Sequence, residues 1–256
     1  MNILICIYVF ILGSIFASFI NCYSIRALKG ESIIKPRSHC DNCNHVLTFI
    51  ELIPIISYII LRGKCIKCKK SIGITSFILE VLTGILFLAV YLRYGISYNT
   101  LIGFVIVCLL LSICITDFKE MIILDGILIV STLLISLFIF LDGGIKVLGI
   151  SLLNGFFGFV LFLIVKYIGY IIFKRESLGD GDIKLAFVMG LVLSYNVFLI
   201  SLITASIIAL PYGIYITRKS NSKELAFGPF LGLGMFICFY FKYNINTILN
   251  YLLYIK

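Results

Sequence analysis

The sequence predicts an all-α, polytopic membrane bundle of about eight transmembrane helices, with one cytoplasmic loop that carries a zinc-knuckle pattern. Three observations lead to this fold class. Hydrophobic residues make up 61% and charged residues 13% of the 256 residues, and the mean hydropathy is +1.15, which is more apolar than a soluble domain requires. The apolar residues form runs long enough to cross about 30 Å of hydrocarbon as helices. Two Cys-x-x-Cys pairs lie in the one sizeable polar segment.

Eight apolar stretches are the predicted membrane spans. They are Ile3 to Tyr23, Thr75 to Leu92, Thr100 to Thr116, Ile122 to Leu141, Val147 to Phe173, Ile183 to Leu193, Val197 to Ile216 and Phe227 to Phe241. The sixth is short, at about 11 residues, whereas a full crossing takes about 20. The eighth either ends at Phe241 or continues through the apolar tail Ile245 to Ile255, so the sequence leaves the count open by one. The first stretch has no basic residue before it and a poor match to a signal cleavage site, so we expect a retained helix.

The positive charges of the loops predict the orientation of the spans, because Lys and Arg collect in short cytoplasmic loops. The loop between the first two spans contains Arg26, Lys29, Lys35, Arg37, Arg62, Lys64, Lys67, Lys69 and Lys70. With that loop in the cytoplasm, alternation also places inside Lys119, Lys174, Arg175, Lys184, Arg218, Lys219 and Lys223, and it leaves outside Arg93, Lys146, Lys242 and Lys256. We therefore expect a multi-pass protein of the cytoplasmic membrane with an external N-terminus.

The net charge of +9 follows from the same topology. Positive loops also attract anionic lipid headgroups. Membrane lipids are therefore expected partners, and the charge requires no nucleic-acid partner.

The cysteines of the polar loop predict a metal site. The pairs are Cys40 with Cys43 and, after an interval of about 20 residues, Cys65 with Cys68. Four thiolates close a tetrahedral coordination sphere and leave no open position, which is typical of structural zinc. Two alternatives stay open: His39 or His45 replaces one cysteine as a ligand, or the cysteines form disulfides. A cytoplasmic location disfavours the disulfides, because thiols stay reduced there.

Two aspartates at the edges of apolar spans are the candidate catalytic residues. Asp117 closes the third span and Asp182 lies at the start of the sixth, and the predicted orientation places both at the cytoplasmic membrane face. Two coupled carboxyl groups can hydrolyse an amide when one is ionised and activates water while the other holds a proton and donates it. We expect Asp117 and Asp182 to face one another as such a pair, without a fixed assignment of acid and base.

Five further residues are expected to support this pair. Gly179 and Gly181 let the backbone turn tightly and come close to another peptide. Asp125 lies about two turns after the aspartate of the third span and is a candidate for the same cavity. Lys184 binds either a phosphate headgroup or a carboxylate. Glu80, at the edge of the second span, is either an ordinary interfacial acid or a ligand for an ammonium group of substrate or cofactor.

A series of short motifs in a fixed order gives the chain its resemblance to a known family. The motifs are Ser18-Phe19-Ile20-Asn21 followed by Arg26, Pro36 to Cys43, Ile53-Pro54, Arg62 to Cys68, Glu80 with Gly84, Asp117 with Asp125, Gly179 to Lys184, and Phe227 to Phe230. They resemble those of the prepilin peptidases, or type IV leader peptidases, which are membrane aspartic proteases of the GxGD class. The resemblance covers nearly the whole length. Two positions depart from the family pattern: Ala17 stands where a glycine is usual, and Leu124 where a proline is usual.

The resemblance implies an integral membrane aspartic endopeptidase with Asp117 and Asp182 as its catalytic pair. It implies cleavage of the short basic leader of type IV prepilins or pseudopilins on the cytoplasmic side, just before their apolar helix. It also implies methylation of the new N-terminus with S-adenosylmethionine, a second activity associated with the polar loop. The residues themselves give no cofactor site, because the chain has no GxGxxG segment.

The expected domains are a first transmembrane helix at residues 1–24, a zinc-binding, methyltransferase-associated loop at 25–74 and a membrane-embedded peptidase domain at 75–256. Two other functions stay open. A secondary transporter also carries carboxylates in its helices, although usually near the bilayer midplane and within an inverted repeat. A zinc-knuckle membrane assembly factor would use the cysteines and leave both aspartates without a role.

Overall fold

The computed structural model describes residues 3–40, 42–174, 178–219 and 225–242 of the chain. Within these ranges it consists of eight α-helices and one short 3-10 helix, which confirms the predicted all-α class. The chain divides into two compact units, Met1–Gly95 and Ile96–Lys256. The predicted extension of the last span through 245–255 lies outside the described residues. The same holds for three of the basic residues used to predict the orientation, Arg175, Lys223 and Lys256.

The first unit consists of two apolar helices, α1 (Ile3–Leu28) and α3 (Ile74–Tyr94), joined by the polar loop. The loop contains a 3-10 turn (Ile50–Leu52) and a short helix, α2 (Ile56–Ile60). α1 and α3 pack closely, because each helix has a glycine at the contact. A Cβ added at Gly13 would lie 2.8 Å from Phe87 Cγ, and one added at Gly84 would lie 2.8 Å from Phe10 Cδ2. Small residues at helix contacts are a common means of association in membranes.

The second unit contains five helices, and α4 is the most enclosed of the three long ones. They are α4 (Tyr98–Glu120), α5 (Asp125–Phe173), α6 (Asp180–Val192), α7 (Tyr195–Lys219) and α8 (Gly228–Phe241). In α4, 67% of the most apolar segment is buried, against 17% in α5 and 22% in α7. The most enclosed of these three helices therefore carries the first candidate aspartate.

α5 consists of two helical segments that meet at Gly144. This glycine has φ 71° and ψ −170°, a conformation that other residues rarely adopt. A straight helix of 49 residues would be about 74 Å long. Instead, both segments reach the beginning of α6: Asp125 pairs with Lys184, and Lys166 pairs with Asp180. The segments 125–143 and 145–173 therefore fold back on one another, as the predicted fourth and fifth spans do.

Each of the eight predicted spans coincides with a helix or a helical segment. Five helical ranges are long and apolar enough to cross a membrane: Ile3–Leu28, Ile74–Tyr94, Tyr98–Glu120, Asp125–Ile172 and Tyr195–Lys219. The fourth range includes both segments of α5, whereas α6, with 13 residues, and α8, with 14, are shorter. This set of apolar helices is that of a multi-pass membrane protein.

Backbone contact fixes the two shorter helices in the second unit. A Cβ added at Gly190 of α6 would lie 2.3 Å from the carbonyl oxygen of Asn154 in α5. A Cβ added at Gly234 of α8 would lie 2.4 Å from the carbonyl oxygen of Ser201 in α7. Because there is no space for a side chain at either point, α6 and α8 lie directly against their neighbours, and both helices present their first turns to the candidate site.

Candidate active site and candidate metal centre

Asp117 lies in the last turn of α4 and is only 5% exposed. Its Oδ2 accepts a hydrogen bond from the backbone N–H of Gly228, at 3.0 Å, where α8 begins. A Cβ at position 228 would lie 2.9 Å from the same oxygen and 3.0 Å from Ile123 Cδ1. A larger residue would therefore displace the carboxylate that the N–H binds. The Phe227 to Phe230 motif thus has a structural reason, because it delivers an N–H group to Asp117.

Asp182 lies in the first turn of α6 and is half-buried. Its own N–H donates to the carbonyl of Gly179 at 3.2 Å, which closes the turn that begins the helix. At Gly181, a Cβ would lie 2.8 Å from Ile123 Cβ, in the link between α4 and α5. The glycine thus allows the α6 turn to lie against this link. Ile123 packs against both Gly181 and Gly228.

The two aspartates line one cavity of about 260 Å³. Their charges are close enough to interact. The rest of the lining consists of Met121, Ile122, Ile123, Asp125, Gly179, Asp180, Gly181 and Lys184. Water occupies about 30 Å³ per molecule in the liquid, so the cavity has room for a peptide group and a few waters. The fold therefore brings Asp117 and Asp182 together with four of the five residues predicted to support them.

Two ion pairs border the cavity and connect α6 with both segments of α5. Lys184 Nζ donates to Asp125 Oδ1 at 2.6 Å, and Lys166 Nζ donates to Asp180 Oδ1. The sequence allows Lys184 either a phosphate headgroup or a carboxylate as its partner, and in the structure it pairs with a carboxylate. The acids are mostly exposed, at 61% for the Asp125 side chain and 78% for that of Asp180, so each pair contributes little to stability. Their effect is to link the start of α6 to both segments of α5 at the edge of the cavity.

The four cysteines converge in the loop of the first unit. The sulfur atoms of Cys40, Cys43, Cys65 and Cys68 all lie within 4.8 Å of one another. The Sγ–Sγ distances Cys40–Cys68 and Cys43–Cys65 are both 3.9 Å. A tetrahedral site with Zn–S bonds of about 2.3 Å has sulfur–sulfur distances of about 3.8 Å. Two of the Sγ–Sγ distances therefore match a tetrahedral zinc site, and all four sulfurs are near enough to close around one ion with small side-chain movements.

The two cysteine pairs are presented by the same local turn. The N–H of Cys40 donates to the carbonyl of His45 at 2.9 Å, and the N–H of Cys65 donates to the carbonyl of Lys70 at 3.0 Å. An isolated antiparallel bridge encloses each turn, one between His39 and Val46 and the other between Lys64 and Ser71. Two copies of one turn thus face each other, as expected for a pair of zinc knuckles.

The thiols of this cluster differ in how readily they ionise. The backbone N–H of Lys70 and the neighbouring polar groups lower the pKa of Cys68 to about 6. For Cys43, a backbone hydrogen bond from His45 is outweighed by desolvation and by the adjacent thiols, which together raise its pKa to about 11. Metal binding requires deprotonated thiols, and a cation removes the repulsion between them. The cluster is thus suited to hold several thiolates only with a metal ion among them.

Both histidines beside the first knuckle have other partners. His45 Nε2 lies 3.2 Å from Glu51 Oε2, and His39 Nδ1 lies 3.0 Å from the carbonyl oxygen of Arg37. Glu51 Oε2 also accepts hydrogen bonds from the N–H and the hydroxyl of Thr48, at 2.9 and 3.0 Å. Burial acts to raise the pKa of Glu51, but these hydrogen bonds hold it below its ordinary value. The contacts favour four cysteine ligands over a set that includes a histidine.

Glu80 is buried in α3, where it holds the loop of the first unit. Its Oε2 accepts a hydrogen bond from the N–H of Ile55 at 2.8 Å, and the Ser18 side chain of α1 forms a second hydrogen bond with the carboxylate. Ile55 has φ 62°, a conformation that costs a non-glycine residue about 1–3 kcal/mol and that surrounding contacts must maintain. Glu80 provides such a contact and thereby connects α1, the loop and α3.

Two family descriptions match the chain, one in each unit. The Bacterial Peptidase A24 N-terminal domain matches residues 11–94, and the Type IV leader peptidase family matches residues 104–214. The first match falls within Met1–Gly95 and contains the four cysteines. The second falls within Ile96–Lys256 and contains both Asp117 and Asp182. No solved structure matches the chain.

Curated relatives support the same assignment over most of the length. A prepilin leader peptidase/N-methyltransferase of Bacillus subtilis (strain 168) is 32% identical over 238 residues, which are 90% of this chain and 92% of the relative. The chain belongs to the type IV leader peptidase family. Family members of the same name from Myxococcus xanthus (strain DK1622) and Neisseria gonorrhoeae are 33% identical over 211 residues and 30% identical over 208. These alignments cover 82% and 81% of this chain, and 63% and 72% of the relatives.

Membership of the type IV leader peptidase family confirms the resemblance expected from the motifs. Two contacts at the candidate site were not predicted from the sequence. One is the hydrogen bond from the Gly228 N–H to Asp117, because the motif from Phe227 to Phe230 does not show which group this N–H contacts. The other is Lys166, whose signal was a lone lysine within an apolar span, because such residues usually have a partner or a function.

Proposed function

We propose that this chain is an aspartic endopeptidase that removes the basic leader from type IV prepilins or pseudopilins. The observation that carries the proposal is the cavity that holds Asp117 and Asp182 together, within a chain whose relatives are named prepilin leader peptidase/N-methyltransferase. Two carboxyl groups in one partly desolvated cavity can supply the general base and the general acid that hydrolysis of an amide requires.

In the proposed reaction, one carboxyl group of the pair is ionised and the other is protonated. The ionised group takes a proton from water, and the water oxygen bonds to the carbonyl carbon of the scissile peptide while the protonated group gives its proton to the carbonyl oxygen. The tetrahedral product then loses its C–N bond as a proton passes to the leaving nitrogen. The leader leaves with a new carboxylate, and the mature protein keeps a new amine.

The protein contributes orientation to these steps. The Gly228 N–H binds Oδ2 of Asp117 at 3.0 Å, and the glycine turn at the start of α6 sets Asp182 in the same cavity. Hydrogen bonds of this kind to a charged group are worth about 1.5–3 kcal/mol each. The carboxylates therefore meet the substrate already arranged, without first having to leave a water shell.

The site is proposed to face the cytoplasm from the cytoplasmic membrane. The support is the charge pattern of the loops, since Lys119 follows Asp117 and Lys174 precedes Asp182 along the chain. The mostly exposed acids Asp125 and Asp180 border the cavity. Their carboxylates can exchange a lysine of this chain for a lysine or arginine of a basic leader at small cost.

The metal of the cysteine cluster is proposed to be structural zinc, because four thiolates fill its coordination sphere and leave no position for water or substrate. Bound to Cys40, Cys43, Cys65 and Cys68, the ion would hold the two turns of the loop together and supply no step of hydrolysis. Methylation of the new amine with S-adenosylmethionine as methyl donor is a further part of the proposal, and its support is the name of the relatives. Glu80 already accepts hydrogen bonds from Ile55 and Ser18, which favours a structural role for it over binding of the donor's ammonium group.

The test is the identity of the product. The purified protein in liposomes is incubated with a prepilin-like substrate, and the N-terminus of the product is analysed by mass spectrometry, with and without S-adenosylmethionine. We expect one cut at the junction of basic leader and apolar helix, and one added methyl group when the donor is present. An intact substrate would contradict the peptidase proposal, and a cut product that stays unmethylated would contradict the second activity alone.

A further inference from the structure

A second cavity adjoins the one that contains the aspartates. It has a volume of about 520 Å³ and is formed by residues of α5 and α6. Asp125 and Lys184 line both cavities. The two spaces therefore meet at the ion pair between these residues, whose nitrogen–oxygen distance is 2.6 Å. We name the second cavity the α5–α6 groove.

The α5–α6 groove is polar at this end and apolar beyond it. Its remaining lining consists of Leu128, Ile129, Thr132, Leu133, Phe156, Phe159 and Phe187. The polar member is Thr132, and its hydroxyl donates to the carbonyl of Leu128 in the same helix at 2.7 Å. The wall therefore presents hydrocarbon along its length, and charge is confined to the end at the aspartate cavity.

The groove has the dimensions of a helix-packing surface. Its residues on the first segment of α5 are Asp125, Leu128, Ile129, Thr132 and Leu133, a spacing that places them on one helical face. From 125 to 133 this face is about 12 Å long, or slightly more than two turns. The phenylalanines of the second segment and of α6 form the other walls. An apolar helix that lies in such a groove inserts side chains at positions i, i+3 or i+4, and i+7.

We propose that the α5–α6 groove binds the first turns of the apolar helix of the substrate and so places the bond that precedes this helix at Asp117 and Asp182. The proposal rests on the proposed function and specifies how that same site selects its substrate. The observation that favours a peptide over a lipid is continuity: the polar end of the groove and the cavity of the two aspartates share Asp125 and Lys184 as lining residues. A chain that is charged before the scissile bond and apolar after it matches the order of charge and hydrocarbon along the wall.

The proposal predicts that the apolar segment of the substrate contributes to positioning as well as to membrane location. The first turns of the substrate helix fix the register of the scissile bond, and misplacement by about 1 Å costs on the order of 100-fold in rate. A short peptide with the leader and only a few mature residues keeps the scissile bond but cannot fill the groove. It is therefore expected to react at least about tenfold more slowly in kcat/KM than the full-length substrate.

The test compares these two substrates across a matched pair of variants. Thr132→Phe places an aromatic ring in the groove. Val130→Phe places the same ring two residues earlier, at an exposed position that projects about 130° from the centre of the groove face. Thr132→Phe should lower kcat/KM for the full-length substrate to the value of the short peptide and leave the short-peptide value unchanged. Val130→Phe should change neither value, and thermal unfolding of both variants checks that they are folded.

A crosslink identifies the occupant of the groove. With p-benzoylphenylalanine in place of Phe156, irradiation in liposomes should join the protein to the apolar segment of the full-length substrate. Equal rates of the wild type on both substrates, no effect of Thr132→Phe, or crosslinks to lipid alone would each overturn the proposal while leaving the peptidase function intact. If the wild type cleaves neither substrate, the proposed function fails, and the groove proposal falls with it.

Discussion

The contact between Gly228 and Asp117 gives the sharpest test of how the site is held. In Gly228→Ala, the added Cβ would lie 2.9 Å from Asp117 Oδ2, 3.0 Å from Ile123 Cδ1 and 3.1 Å from Ile113 Cγ2. Cβ atoms essentially never approach a heavy atom to 2.9 Å, so one of these groups has to move. The two isoleucines belong to the buried core, and the carboxylate, which borders the cavity, is the group with space to move into.

The size of the effect follows from the hydrogen bond that the movement breaks. A hydrogen bond to a charged group contributes about 1.5–3 kcal/mol, and each 1.36 kcal/mol corresponds to about a tenfold change in rate. If the bond holds Asp117 in its reactive position, kcat should fall by about 10-fold to 150-fold. Extra volume in a packed site also costs about 1–3 kcal/mol of stability, so the unfolding temperature should fall as well.

The assay is the cleavage of a prepilin-like substrate in liposomes, with kcat and KM measured separately and thermal unfolding recorded in parallel. Gly149→Ala is the matched control, because a Cβ at Gly149 meets no atom within 4 Å and alanine favours a helix over glycine by about 1 kcal/mol. The control should keep wild-type kcat. A Gly228→Ala protein that is folded and retains wild-type kcat would refute the positioning role of the Gly228 N–H.

Three further outcomes are expected elsewhere in the molecule. Cys65→Ser should lower bound zinc from about one ion per chain in metal analysis, whereas Cys108→Ser, in α4, should leave it unchanged. Glu80→Ala removes the acceptor of a loop N–H and should reduce the free energy of unfolding by about 1–3 kcal/mol, and Glu80→Gln should recover much of it; equal stability of the two variants would contradict this role. Gly190→Ala places a Cβ 2.3 Å from a backbone oxygen of α5, and a wild-type unfolding temperature would show that α5 and α6 do not pack as described.

Much of the fold was predictable because it depends on local composition. The apolar runs locate the helices, and the break between Leu141 and Val147 contains Gly144, where α5 reverses. The four cysteines were predictable for the same reason, since their spacing is a property of short turns. Each of these features depends on residues that are close to one another along the chain.

The contacts that cross between distant helices were not predictable in this way. Asp117 and Gly228 are 111 residues apart, and the motif around Gly228 shows only that a helix begins there. Lys184 had two candidate partners in the sequence, and a phosphate headgroup is the commoner partner of a basic residue at a membrane edge. Its choice of Asp125 depends on the folding back of α5, which single-residue properties do not specify.

The central claim, that Asp117 and Asp182 act as one acid–base pair, is tested most directly by removing each charge with little change of shape. Cleavage is measured for Asp117→Asn, Asp182→Asn and, as a control, Asp142→Asn, which alters an exposed aspartate of α5. Each preparation is first shown to be inserted and folded. We predict that both site variants lose cleavage while Asp142→Asn keeps the wild-type rate; turnover that survives in either site variant would contradict the pair.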